Sequence, residues 1–485
     1  MFFSLILCHC LAFLPETSID LEGLPLQIEW VDLNQDGALD LTAAVMKTET
    51  IGAFSTFYQD GSLRGLYEDT TSQTFFLRTW LNSESGFVET ASLDLEEGFI
   101  SFILKGGKLY LWNSQNRLDI MKFAHGGWQL THSITPPISN MVSGNEFYFL
   151  WSVHGRQYWM LPGLSDLTLY DCDHQKTSMI PYFDTMISNG QSGSNGQSLS
   201  LPLPIAMDVT GDGQDDLVFS KGDQRWIWHA VEPLPATEEP LVLRYFPINL
   251  PGILIDLDGD KKHELLSIEI QDEDIEKLKD LKKIKSQLQV FRADHPLEFE
   301  DTPAHEQTIP GFLIPEGDDE FFLSSPFQDI NSDGLLDLAS FGFKVSYLQV
   351  ARIATTGKMN ITFLLELHLQ GLNGKFKTLP GGPFEMSWRL NLRKLRMPEF
   401  GQLTADFNAD GWMDLMTVSE KKVSIHTLSE SGYGSSKGHM VRFPVEFRDP
   451  DQVFGRDLNA DNQAEIILLK IVGRTGRLSI LEAGL

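Results

Sequence analysis

The sequence predicts an all-β repeat array, and three observations carry that prediction. The acidic stretch DLNQDGALDL, beginning at Asp32, recurs five more times along the chain. Each copy runs directly into an apolar, strand-like segment. Forty glycines and 32 phenylalanines suit a chain of many short strands and turns. A length of 485 residues allows two or three ordinary domains or one large array, and internal repetition favours the array.

Bulk composition narrows the class. With 42% hydrophobic and 22% charged residues the chain reads as folded rather than disordered. Its net charge of −29 argues against nucleic acid, because phosphate binding needs clustered Lys and Arg. The same acidic excess suits either a solvated surface or a set of cation sites. The opening run MFFSLILCHCLAFL is uncharged and too short to span a membrane, so residues 1–16 are expected to be a signal peptide of a secreted, cell-surface or periplasmic protein. No Lys or Arg precedes that run, and a buried N-terminal strand of a cytoplasmic protein is the other reading. No other segment approaches transmembrane length. Cys8 and Cys10 fall in the run and leave Cys172 alone, so no disulfide is expected in the mature chain. Neither Cys-x-x-Cys nor His-Glu-x-x-His occurs, and zinc is not indicated.

The six loops come in this order. The first offers Asp32, Asn34, Asp36 and Asp40; the second Asp208, Thr210, Asp212 and Asp216; the third Asp256, Asp258, Asp260 and Glu264. The fourth offers Asp329, Asn331, Asp333 and Asp337; the fifth Asp406, Asn408, Asp410 and Asp414; the sixth Asp457, Asn459, Asp461 and Glu465. These are positions one, three, five and nine of each loop. Oxygen ligands at those places, with a backbone carbonyl at seven, can wrap a hard cation, and calcium tolerates such loose geometry better than magnesium. Up to six calcium sites are therefore expected. Position six is glycine in four copies, allowing a sharp turn. Lys261 and Asn462 replace it in the third and sixth, so the Lys261 copy is in question. The first, fourth and fifth loops are the surest sites. An EF-hand needs an acidic residue at position twelve; here that position holds Ala43, Phe219, Ser267, Ser340, Thr417 and Leu468, so the EF-hand fails.

These loops resemble those of FG-GAP or VCBS-type repeats, the calcium-loop β-propeller blades also found in the head of integrin α chains. The pairs Phe400-Gly401 and Phe454-Gly455, just before two loops, agree with that pattern. The resemblance implies a β-propeller of four-stranded blades in which each loop joins the first and second strands of a blade. Two strand clusters without the acidic loop, 98–133 and 146–171, fill the gap between Asp32 and Asp208. Eight blades are favoured, or seven if one cluster is an insertion. The last blade lacks a fourth strand, and TSIDLE near the N-terminus is the natural one to close the ring over residues 17–485. Ile275, Leu278, Leu281 and Leu288 have roughly helical spacing, which predicts a short charged helix within 271–289. The Ser/Gly-rich stretch 188–200 reads as a flexible inter-blade loop.

No nucleophile elbow, P-loop or dinucleotide fingerprint occurs, so no catalytic residue is nominated. Scattered histidines (His154, His174, His229, His263) are expected to be surface or hairpin residues. Alternating tryptophans in YLWN, RQYWM and RWIWH are expected to pack between blades. The functional expectation is a non-enzymatic, monomeric, calcium-stabilised propeller that binds a protein or carbohydrate ligand, as in adhesion. The alternative is a calcium-containing polysaccharide lyase, which would combine His or Tyr with Arg or Lys in one groove.

Overall fold

A computed structural model shows eight antiparallel blades, seven of four strands and one with a fifth added, and no helix occurs among the described residues. The described residues are 12–13 and 17–484, outside 49–72, 84–85, 96–98, 136–148, 164–165, 174–175, 182–185, 190–196, 201–203, 222–223, 231–240, 245–252, 272–283, 296, 301, 314–325, 345–357, 392–400, 420–421, 435–437, 443–451, 473 and 482. Blades one to seven occupy 24–94, 101–134, 150–181, 205–244, 253–310, 327–391 and 401–442, and each is a meander. Blade eight takes three strands from 452–481 and its fourth from Thr17–Asp20, which pairs Thr17 with Ile480 and Ile19 with Leu478. The expected closing strand is thus the observed one. Both loop-free clusters are blades, two and three, so the count is eight.

Period-two alternation builds the ring. In strand Asp40–Thr48, Leu41, Ala43 and Val45 face a cluster shared with blade eight, while Ala44 faces one shared with blade two. Ile466 and Leu468 likewise face blade seven, and Ile467 and Leu469 face blade one. Alternate residues of a strand point to opposite faces, so a strand buried on both sides reads as a continuous apolar run. Eight buried clusters result, one for each pair of neighbouring blades, including eight with one. Trp112, Trp151, Trp159 and Trp228 are buried in these seams, as expected of inter-blade packing.

Glycine sets one seam directly. A Cβ on Gly455, from the Phe454-Gly455 pair, would lie 2.5 Å from the Phe407 ring and 2.8 Å from Ala405 Cβ. The first strand of blade eight therefore approaches blade seven more closely than a larger residue allows.

Three expectations need correction. The helix expected within 271–289 is not seen at its described ends: Gln271 ends strand Glu264–Gln271, and 285–289 lie in strand Lys285–Phe291. Leu288 is buried there by alternation with Ser286 and Val290, which defeats the helical spacing; 272–283 lie outside the described residues. Within 188–200, strands Met186–Asn189 and Gln197–Ser200 form a two-stranded hairpin. Blade six carries a fifth strand, because the 13-residue strand Lys358–Gln370 is long enough to pair with both Phe376–Thr378 and Phe384–Asn391. Ala12–Phe13, inside the expected signal segment, pairs with Ala483–Gly484; the rest of 1–16 lies outside the described residues. No helix among the described residues is long and apolar enough to cross a membrane.

Candidate metal centre

All six loops have the same length, eight residues between the first and second strands of their blades. They occupy blades four, five, six, seven, eight and one, an unbroken arc on one face of the ring. Blades two and three have two-residue turns at that place, Gly106-Gly107 and His154-Gly155.

One hydrogen-bond plan repeats through the arc. The position-one carboxylate accepts the position-six N–H in every copy, for example Gly37 to Asp32 at 2.9 Å, Lys261 to Asp256 at 2.9 Å and Asn462 to Asp457 at 2.9 Å. The position-five carboxylate accepts the position-seven N–H, as in Ala38 to Asp36 at 2.9 Å and Trp412 to Asp410 at 2.9 Å. In four copies the position-three amide donates to the position-five carboxylate, at 2.8 Å from Asn34 and 3.0 Å from Asn331 and Asn408, and at 3.1 Å from Asn459. Thr210 instead bonds the carboxylates of Asp208 and Asp216, at 3.5 and 3.3 Å. Positions four and six both adopt positive φ in all six loops. Sequence reasoning found position six only, because Gln35, Ser332, Ala409 and Ala460 at position four do not advertise a left-handed turn.

Position nine behaves differently from the rest. Asp40, Asp216, Glu264, Asp337, Asp414 and Glu465 are all buried, each at 5% exposure or less. Their oxygens tie the loop to its own blade: Asp337 accepts Ile330 N–H at 3.0 Å and Gln370 N–H at 2.8 Å, and Asp414 accepts Phe407 and Leu428 N–H, both at 3.0 Å. Burial pushes Glu264, Asp414 and Glu465 up to about 7 and Asp337 up to about 6, and raises Asp40 as well. Position nine is therefore the inner wall of each loop, with positions one, three and five at its mouth.

The donor set fits a hard cation. In the third loop Asp256, Asp258 and Asp260 bring ligand oxygens within 4.8 Å of one another, and Asp258 Oδ1 is buried without a hydrogen-bond partner. Arg292 stands beside this loop, with Nη2 3.2 Å from Asp258 Oδ2. In the other loops the third ligand position is a neutral Asn or Thr, so the carboxylates there are fewer. Calcium coordination by oxygen at positions one, three, five and nine suits these residues.

Neighbouring loops are joined. The position-eight N–H of one loop donates to the position-two carbonyl of the loop before it: Leu39 to Leu458 at 2.7 Å, Leu336 to Leu257 at 2.9 Å and Met413 to Ile330 at 2.8 Å. Ala464 donates to Asp406 at 2.7 Å in the remaining seam of that series. A Cβ on Gly211 would lie 2.3 Å from the Lys261 carbonyl oxygen, so the second loop abuts the third.

The histidines spread out. His154 is exposed at a turn; His229 Nδ1 lies 3.7 Å from Asp216, whose hydrogen bond raises its pKa. His263 is half-buried and lowered by burial, and His174 lies outside the described residues. His368, not nominated from sequence, is buried between Ser340 at 2.8 Å and Thr378 at 3.1 Å, and burial lowers it to about 4. It is a neutral internal hydrogen-bonding group, closed off from solvent.

These features define an eight-bladed β-propeller with a six-loop acidic arc. No family model matches the chain, and no curated protein matches it. Solved structures similar in chain path include Sqt1 of Saccharomyces cerevisiae, at 11% identity and TM-score 0.39, covering 96% of this chain and 98% of that one. BamB of Moraxella catarrhalis is similar at 9% identity and TM-score 0.26, covering 87% and 98%. BBS1N, solved in complex with ARL6DN, is similar at 9% identity and TM-score 0.27, covering 78% and 87%.

Proposed function

We propose that this chain is an exported, non-enzymatic binding module of the FG-GAP or VCBS type, whose blades are pinned by calcium and whose ring presents a ligand-binding face to a protein or glycan. One observation carries the reading: six loops of equal length repeat one oxygen-donor plan on six consecutive blades. Calcium supplies the positive charge that draws positions one, three, five and nine of a loop together. The chain's own residues do the rest. Backbone N–H groups of positions six and seven orient the carboxylates of positions one and five, and position nine anchors the loop to its blade. Without a cation these acids repel one another inside a chain already at −29. Binding to the folded state alone stabilises it by roughly 2.7 kcal/mol per site at a hundredfold excess of ion, large against a typical margin of about 5–15 kcal/mol. Calcium would thereby serve where disulfides serve elsewhere.

The test pairs two assays on purified protein. Thermal melts in chelator and in calcium read the staple. A glycan array and a product assay on the same sample separate binding from turnover: retained ligand without cleavage supports a binding module, whereas an unsaturated sugar product establishes the lyase instead.

A further inference from the structure

The third loop differs from the other five in charge. Asp256, Asp258, Asp260 and Glu264 place four acids at its ligand positions, where each of the others has three, because position three there is Asn or Thr. Asp258 also breaks the local hydrogen-bond plan. In the first, fourth, fifth and sixth loops the position-three amide donates to the position-five carboxylate, so the two side chains hold each other. An ionised carboxylate has no hydrogen to give. Asp258 and Asp260 therefore meet as like charges, and the positive partner has to come from elsewhere.

Strand register brings it in. Leu265 pairs with Phe291, so the next step of that ladder sets Arg292 opposite Glu264, position nine of the loop. Directly opposed residues share a face of the sheet. Arg292 Nη2 lies 3.2 Å from Asp258 Oδ2, and its Nε lies 4.0 Å from Glu264 Oε1. The same register sets Leu81, Leu369 and Thr427 opposite position nine in blades one, six and seven, and His229 in blade four. Among the described residues no other Lys or Arg pairs with a loop carboxylate. Lys261 and Lys262 are exposed and serve the loop through their backbone N–H groups, which donate to Asp256 and Asp260.

The backbone of Arg292 is fixed on both sides. It directly follows strand Lys285–Phe291, and its carbonyl accepts Glu300 N–H at 3.3 Å across the hairpin that pairs Ala293 with Phe299. Leu297 in that hairpin is buried in the seam of blades four and five. Gly374 of blade six leaves room beside the guanidinium, since a Cβ there would lie 3.6 Å from Arg292 Nη2. The Arg292 side chain is half exposed, so its pair with Asp258 is weak as a stabilising contact. Its charge, however, is permanent. With Oδ2 taken by Arg292, Asp258 keeps only Oδ1, buried and without a partner, to offer an ion.

We propose that Arg292 is a tethered counter-cation of the third loop: it supports the four acids in the absence of metal and lowers the calcium affinity of that loop below that of the same loop without it. This rests on the reading of the loops as calcium sites. A unit positive charge against a ligand carboxylate offsets part of the field that draws a divalent ion in, and it repels the ion directly. The third loop is thereby the one that stays assembled at low calcium and is charged with metal only at high calcium.

The experiment counts calcium ions per chain by native mass spectrometry across a calcium titration of the full-length, metal-stripped protein and its variants. Subtracting the count of an Asp260→Ala partner made in each background isolates the third loop. Arg292→Gln should raise third-loop affinity at least about fivefold. Lys285→Gln, the same charge change at the far end of the same strand and about 23 Å away, should leave it within about twofold. In chelator, Arg292→Gln should lower the melting temperature by about 1–3 °C. Adding Asp258→Asn, which restores the amide of the other loops, should recover it. Unchanged or weaker third-loop affinity in Arg292→Gln, an equal rise in Lys285→Gln, or a chelator melt that Arg292→Gln leaves unmoved would each overturn the assignment. If the other loops still bind calcium, such a result sinks this inference alone; no calcium bound by any of these proteins sinks the metal reading with it.

Discussion

The packing of one acidic loop against the next can be measured through two glycines of the second loop. Gly211 and Gly213 both adopt positive φ, at 75° and 84°. A Cβ at Gly213 meets nothing within 4 Å, whereas one at Gly211 lies 2.3 Å from the backbone oxygen of Lys261 in the third loop. Gly213→Ala therefore carries left-handed strain alone, about 1–2 kcal/mol. Gly211→Ala carries the same strain and must also push a neighbouring loop's backbone aside, adding about 1–3 kcal/mol by analogy with overpacking. The expected losses are thus about 1–2 and about 2–5 kcal/mol. Urea denaturation in chelator, read by tryptophan fluorescence and far-UV circular dichroism, gives both values without a contribution from bound ion. Equal losses, or a larger loss at Gly213, would refute the claim that adjacent loops are packed into one arc.

Other perturbations have equally definite outcomes. Lys261→Gly relieves a non-glycine residue held at φ 69° and should leave stability unchanged or raise it by up to about 1 kcal/mol, read from the urea midpoint. Ile19→Asp places a charge in the closing strand's buried face, where Ile19 is 5% exposed, and should cost about 3–5 kcal/mol and expose residues 17–20 to protease. In chelator the protein should become more stable on acidification from pH 8 to pH 5. Glu264, Asp414 and Glu465 hold protons in the folded state up to about pH 7, and Asp337 up to about pH 6, that the unfolded chain releases near pH 4, so stability is lost as pH rises through that window. Saturating calcium should flatten or reverse that slope in the same melts.

Much of this architecture was legible because it is local. Acids at loop positions one, five and nine, the apolar runs after them and the strand TSIDLE each declare themselves within a few residues. Blades two and three were legible from their Gly-punctuated apolar runs despite lacking the loop. What escaped is non-local or depends on parity. Leu288 fitted a helical period with Ile275 and Leu281, yet its neighbours Ser286 and Val290 share its buried face in a strand. The inner-wall role of Asp337 and Asp414 arises from Gln370, the last residue of its blade's third strand, and Leu428, two residues past the end of the corresponding strand Lys422–His426. The row of Lys105, Lys108 and Lys122 on adjacent strands of blade two exists only once LKGGKLY and IMKFA are placed in register.

A calcium titration of metal-stripped protein, followed by calorimetry with ions counted by native mass spectrometry, bears most directly on the six-loop arc. Several ions bound per chain, up to six, with a melting temperature that climbs as sites fill, is the outcome these loops predict. A chain that binds none and melts alike in chelator and in millimolar calcium would contradict it.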